Sequence, residues 1–230
     1  VKQTKLLAKL NLTEKDLDEI KEAVVRAEQE TTGEIALAAV GESDDYSFYE
    51  LFAAVIAAVL AFAVLLPFHG PVSRWIDGLV WDFSPWLVTA FFGVVSFALM
   101  AAVFLLFNIP ALDRLIIPPK ARSESVYSRA ARYFVESGVY ATRENNGILL
   151  FISLMEHEVH VIADSGILSK TDSPELSVIA ANLAGGIKNG TVKQSLLEAV
   201  RSCGEILIRE FPAKDKNTNV LADGLVLLEK

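Results

Sequence analysis

The chain is 230 residues long, 52% hydrophobic and 22% charged, with a formal net charge of -8 and a mean hydropathy of +0.38. That length accommodates one domain or two, and the composition excludes a wholly disordered polymer and argues against an ordinary water-soluble enzyme, whose charge is spread along the sequence. A clustered basic face of the kind that holds a phosphate backbone is missing from this acidic chain, so nucleic acid is not expected as a partner.

The opening VKQTKLLAKLNLTEKD brings charges back too soon for the continuous apolar stretch of a signal peptide. Residues 13–32 then read as an amphipathic helix, with Leu17, Ile20, Val24 and Ala27 on one stripe. Thr13 and Asp16 are spaced as a capping box whose acid is one carbon shorter than the usual Glu, and Gly33 closes the element. In residues 34–40, EIALAAV, almost nothing is polar on either alternating face, which predicts a strand covered on both sides.

Charge then nearly vanishes. Between residues 46 and 109 the charged side chains are Glu50, Arg74, Asp77 and Asp82. Residues 51–66 form an uncharged apolar run, and residues 86–107 form a longer one; about 20 apolar residues cover a hydrocarbon core roughly 30 Å thick. The Leu, Val and Phe residues of the second run sum to roughly -4 to -8 kcal/mol for insertion. Pro67, Gly70, Pro71 and Pro85 mark the connection as a turn, and Trp75, Trp81 and Trp86 suit a membrane interface. The expectation is a transmembrane helical hairpin with the lipid bilayer as its first partner.

Ala53, Ala57 and Ala61 offer a small-residue face, matched by Gly93, Ala98 and Ala102 on the second run. Packing within the hairpin accounts for this pattern, and a homo-oligomer is compatible with it. With Thr89 and Ser96 as the polar side chains of the second run, no intramembrane ionisable group marks an ion path, which weighs against a transporter. Arg26, Arg114, Lys120 and Arg122 flank the terminal sides, whereas the connection carries Arg74, so the positive-inside rule places both termini and the polar domain in the cytoplasm of a multi-pass inner-membrane protein.

After the hairpin, residues 123–139 have the spacing of a second amphipathic helix. GILLFISL (147–154) and VHVIA (159–163) flank MEHE as a β-hairpin. SPELSVIAANLAGGI begins a third helix, weakened towards its end by Gly185 and Gly186, and residues 191–211 give a fourth. Strands and long helices in this mixture imply an α/β layer fold.

TTGEIALAAV after the first helix, ENNGILLFISLMEHEVHVIADSGI in the middle and CGEILIREFP at the end of the last helix resemble the TPM domain family. The resemblance runs from about Leu12 to Pro212 and is to the bacterial subfamily with a two-helix membrane hairpin inserted after the first strand. It implies a TPM-like α/β/α sandwich with a small sheet, interrupted by the hairpin: residues 1–47 and 110–214 as a discontinuous cytoplasmic domain, 48–109 as the hairpin and 215–230 as a C-terminal tail. Some members of the family have been assigned acid phosphatase activity, others look like accessory or assembly factors, and bacterial relatives often accompany LemA-like membrane proteins. Some hold calcium in acidic loops, with an Asp before an Asn-Gly pair, where this chain has Glu144, Asn145, Asn146 and Gly147.

Chemistry is otherwise sparse. His157 and His160 are three apart, not the four a helical zinc motif needs, and three apart on a strand they face opposite sides. His69 lies in the connection between the apolar runs, remote from both. Cys203 and Arg209 have the gap of a cysteine phosphatase loop, but the intervening residues continue a helix where that loop must turn. As the single cysteine, Cys203 also excludes an internal disulfide and a multi-thiolate zinc site. The best remaining set is Glu144, Asn145 and Asn146 before one strand and Asp164 after its antiparallel partner, which share a sheet edge and offer oxygens to a hard cation such as calcium, with Asp172 and Glu175 as outlying additions. The same residues are also ordinary turn and helix-cap formers. No catalytic residue is assigned. The reading is an interaction or assembly module for another membrane protein, with a metal-assisted acid phosphatase (phosphomonoesterase) as the alternative.

Overall fold

A computed structural model describes residues 2–107, 114, 116–171, 173–213 and 224–229. The chain divides into two compact units, one built from Val1–Asp44 and Lys120–Lys230, the other from Asp45–Pro119.

In the first unit, helices α1 (Lys2–Leu10) and α2 (Glu14–Glu28) precede strand β1 (Glu34–Val40). Helices α3 (Ser47–Leu65), α4 (His69–Asp77) and α5 (Trp86–Phe107) belong to the second unit. The first unit resumes with α6 (Pro119–Glu136), β2 (Gly147–Ser153), β3 (Glu158–Ala163), the single turn α7 (Ser165–Leu168), α8 (Ser173–Lys188), α9 (Val192–Glu210) and β4 (Leu225–Leu228). Among the described residues the four strands form one sheet in the order β3-β2-β1-β4. β1 runs parallel to both β2 and β4, and β2 pairs antiparallel with β3.

Alternation along β1 and β2 divides the core in two, because successive side chains of a strand point to opposite faces. Ile35, Leu37, Ile148, Leu150 and Ile152 belong to a large cluster with Ile20 and Val24 of α2 and Leu196, Val200 and Leu207 of α9. Ala38, Val40, Leu149 and Phe151 belong to a smaller cluster with Val126, Ala130 and Phe134 of α6. The sheet is therefore covered on both faces, an α/β/α arrangement, and the unbroken apolar run of GILLFIS is what a doubly covered strand requires. Each of these fully buried aliphatic side chains contributes about 1.5–3 kcal/mol.

The capping box is present despite its shorter acid: the Asp16 amide donates to Thr13 Oγ1 at 3.2 Å, and the Thr13 amide donates to Asp16 Oδ2 at 2.8 Å. α2 nonetheless ends at Glu28, four residues before the expected stop, because Thr31 leaves the helix to bridge Pro212. Gly185 and Gly186 do not end α8, which continues to Lys188. A Cβ on Gly186 would lie 1.6 Å from Ser195 Oγ, so that glycine brings α9 close instead of breaking the helix. In the first unit the single turn α7 and two further elements lie outside the sequence expectation. One is α1; the other is β4, which places Leu225–Leu228 of the expected tail in the sheet beside β1. Four apolar residues carry no usable period, and the pairing partner lies far away in sequence.

The second unit contains α3 (Ser47–Leu65), a short 3-10 turn (Leu66–Phe68), α4 (His69–Asp77) and α5 (Trp86–Phe107). At 1.5 Å per residue α3 is about 28 Å long and α5 about 33 Å, each sufficient for a hydrocarbon core of roughly 30 Å. The stretches Ser47–Asp77 and Trp86–Phe107 are each long and apolar enough to cross a membrane, and only 6% of the most apolar part of the first and 11% of that of the second is buried. Ala54 is fully buried and Ala53, Ala57 and Ala61 are half-buried, so the small-residue face of α3 is turned inward. On α5 the inward face is Val88, Phe92 and Ser96, while Gly93, Ala98 and Ala102 are not on it. Bulk on one helix complements alanines on the other. The connection, expected as a turn, contains α4, whose Ile76 packs in a cluster with Val88 and Phe92.

Candidate functional site

The N-terminal ends of β1 and β2 and the C-terminal end of β3 come together at one edge of the sheet, because Glu34 pairs with Gly147 and Ile148 with Ala163. Three of the four expected residues, Glu144, Asn145 and Asn146, form the turn into β2, and Asp164 caps α7 directly after β3. Their backbones interlock: the Asp164 amide donates to the Gly147 carbonyl and the Gly166 amide to the Asn145 carbonyl, both at 2.9 Å. Asn145 takes a left-handed conformation, with φ of 51°.

The side chains have definite partners. Asn146, fully buried, donates from Nδ2 to Thr32 Oγ1 at 2.9 Å, and Thr32 Oγ1 donates in turn to Glu144 Oε2 at 2.6 Å. The Asn146 amide donates to Thr142 Oγ1 at 2.9 Å. Asp164 Oδ1 accepts from the Ser165 amide at 2.6 Å and from Ser165 Oγ at 3.2 Å. Two buried oxygens, Asn146 Oδ1 and Asp164 Oδ2, have no hydrogen-bond partner among the described residues. An unmade bond at a buried acceptor costs about 1–3 kcal/mol, so each of these atoms is suited to a ligand that supplies positive charge or a donor.

The donor chemistry fits a hard cation, which takes oxygen ligands from carboxylates, amides and backbone carbonyls. Among the described residues no three His, Cys, Asp or Glu side chains come together as a metal site. A cation at this edge would therefore rely on Asn146 Oδ1, Asp164 Oδ2, the Glu144 carboxylate and backbone oxygens. Asp172 lies outside the described residues. Glu175 is not part of the edge: its two oxygens accept from Arg209 Nη1 and Nη2 at 3.2 and 2.9 Å, and the guanidinium holds that carboxyl below the usual range.

His160, on β3, meets Glu158 Oε2 through Nε2 at 3.2 Å, and His157 sits in the β2–β3 turn with φ of 56°. Cys203 is fully buried in α9, where desolvation of the thiolate pushes its pKa up to about 12. That is the opposite of an activated nucleophile.

Sequence reasoning missed Thr32 and Thr142, and a second polar group at the opposite edge of the sheet. There the Ser43 amide donates to Glu156 Oε1 at 2.9 Å, Ser43 Oγ and Ser153 Oγ lie 2.7 Å apart, and Ser153 Oγ donates to Glu156 Oε2. The MEHE turn offered a clue, since Glu156 is the one acid there that lies just beyond a doubly buried strand.

Residues 114–206 match the TPM domain. The TPM match begins in the chain leading to α6 and ends within α9, so it contains Glu144, Asn145, Asn146 and Asp164 and leaves β1, α3, α4 and β4 outside. In fold the chain is similar to the BA42 protein from the psychrophilic bacterium Bizionia argentinensis, known by NMR, with 16% sequence identity and a TM-score of 0.55 over 94% of each chain. The search of curated proteins returned no match.

Proposed function

We propose that this chain is a membrane-anchored TPM-domain protein that serves as an interaction or assembly module for another membrane protein. The observation that carries the anchoring is the surface of α3 and α5: Phe48, Phe52, Val59 and Leu60 on the first, and Val94, Phe97 and Leu105 on the second, are half or more exposed. A water-soluble protein rarely leaves contiguous apolar surface on this scale, and lipid removes the cost. The basic residues beside the spans favour a cytoplasmic TPM domain at the inner membrane, and the resemblance to bacterial relatives favours a LemA-like membrane protein as the partner.

Affinity purification of the full chain in mild detergent, with mass spectrometry of what copurifies, tests the module. Recovery of one stoichiometric membrane protein, lost when residues 120–230 are removed but retained when the hairpin is replaced by an unrelated one, is the expected result. Recovery of the chain alone, after crosslinking in intact cells, contradicts it.

The unpartnered Asn146 Oδ1 and Asp164 Oδ2 favour a second reading, a cation-assisted phosphomonoesterase. A bound cation would polarise a phosphoryl oxygen, while Asn146 and Asp164 hold it and Thr32 orients Glu144. Phosphate release that needs calcium or magnesium and is lost in Asp164→Ala, with unfolding unchanged, would establish this reading over the first.

A further inference from the structure

The connection between α3 and α5 is a folded part of the second unit. Continued straight from α3, the chain would carry Trp75 about 20 Å beyond Phe62 along the axis. Instead Phe62 lies 6.4 Å from Phe92, Trp75 lies 5.6 Å from the adjacent Phe91, and Ile76 shares one buried cluster with Val88 and Phe92. The chain therefore bends between α3 and α4, where Pro67 is the second residue of the 3-10 turn and Phe68 leaves helical geometry with φ of -89° and ψ of 9°. α4 then lies against the start of α5, with Ile76 buried and Val72 and Phe83 packed beside it.

The connection, α4 together with the residues that follow it, exposes several large apolar side chains. Trp75 is 56% exposed, Leu79 64%, Trp86 64%, and Trp81 fully exposed, interspersed with the exposed polar residues Arg74, Asp77 and Asp82. Phe91 is five residues into α5, about 8 Å from its first residue. Amphipathic helices in a membrane interface bury their apolar side roughly 5–10 Å deep, and indole rings prefer that level.

We infer that α4 and residues 79–86 form an interfacial lipid-binding element, lying in the headgroup region of the leaflet on the connecting side, with Trp75, Leu79, Trp81 and Trp86 among the upper acyl chains. The inference rests on the membrane reading above. The occupant is lipid because the surface continues from two helix faces of spanning length, and because indole, leucine and an arginine mixed at one level match an interface better than a dry protein contact.

The test uses the full chain, reconstituted in phosphatidylcholine vesicles, with Trp81 as its sole tryptophan (Trp75→Phe, Trp86→Phe). A parallel tryptophan-free chain carries Phe97→Trp at the middle of α5. Trp81 emission should fall by about half with a nitroxide near the headgroup end of the acyl chain, change less with one near the methyl end, and resist iodide, as expected at interfacial depth. Phe97→Trp should show the reverse order of nitroxides. Iodide quenching of Trp81 like that of free tryptophan, with Phe97→Trp still reached by the deep nitroxide, overturns the inference and leaves the spans intact. Shielding of Trp81 from both quenchers also overturns it, in favour of a protein contact. If no lipid nitroxide reaches Phe97→Trp, the membrane reading fails and the inference with it. The same measurement with Trp75 as the sole tryptophan makes the result independent of how one variant folds.

Discussion

Asn146 Oδ1 and Asp164 Oδ2 are the atoms that keep the N-terminal sheet edge chemically open, and a glycine beside them keeps it closed to bulk. A Cβ on Gly166 would stand 2.3 Å from the Glu144 carbonyl oxygen and 2.5 Å from that of Asn145. Backbone cannot yield as a flexible side chain can, so Gly166→Ala should destabilise the first unit by about 1–3 kcal/mol, read as a lowered urea midpoint in detergent. Cys203 makes an independent prediction. Its thiol, buried and pushed up to about 12, should react with a maleimide at neutral pH only as fast as the first unit unfolds; labelling at the rate of a free thiol in the folded chain would contradict the packing of α9.

Between elements, α2 and α9 are joined by charge as well as by their apolar stripes. Lys193 Nζ lies 2.8 Å from Asp16 Oδ1 and 2.7 Å from Glu19 Oε2. Lys193 and the Thr13 cap hold the Asp16 carboxyl well below the usual carboxylate range. With the folded pKa depressed, the contribution to stability is fully present above the ordinary carboxylate pKa and is lost as pH falls through the folded one. Unfolding of the native chain and of Asp16→Asn should therefore differ at neutral pH and converge in acid. Thr13→Ala, which removes the cap, should cost about 1 kcal/mol. Much at this scale was legible beforehand: the stripe of α2, the doubly buried β1 and β2 and the β-hairpin all follow from local periodicity. α4 was hidden because its Pro and Gly residues read as a turn, although Pro67 and Pro71 fall in first helical turns, where proline is tolerated. β4 was hidden by its brevity. Within the site, the loop residues were visible as turn formers and acids, but the Thr32 to Asn146 bond joins positions 114 apart, a distance no local pattern encodes.

For the whole molecule, a positive mean hydropathy coexists with a net charge of -8 because the apolar runs lie in the second unit while most charged side chains lie in the first. The first is an α/β/α layer fold that holds most of the stretch, residues 114–206, that matches the TPM domain; the second contains two long apolar helices that leave most of their large side chains exposed. In sequence the second unit falls between β1 and α6, and Ser125 Oγ donates to Asp44 Oδ2 at 2.9 Å, so the two segments of the first unit meet. The central claim is that the second unit holds this fold at a bilayer. Alkaline extraction of membranes from cells producing the full chain, beside a chain with a short linker in place of residues 46–118, tests it most directly. The full chain should stay with the membrane pellet while the shortened chain is soluble and folded; release of the full chain into the alkaline supernatant would contradict anchoring by the second unit.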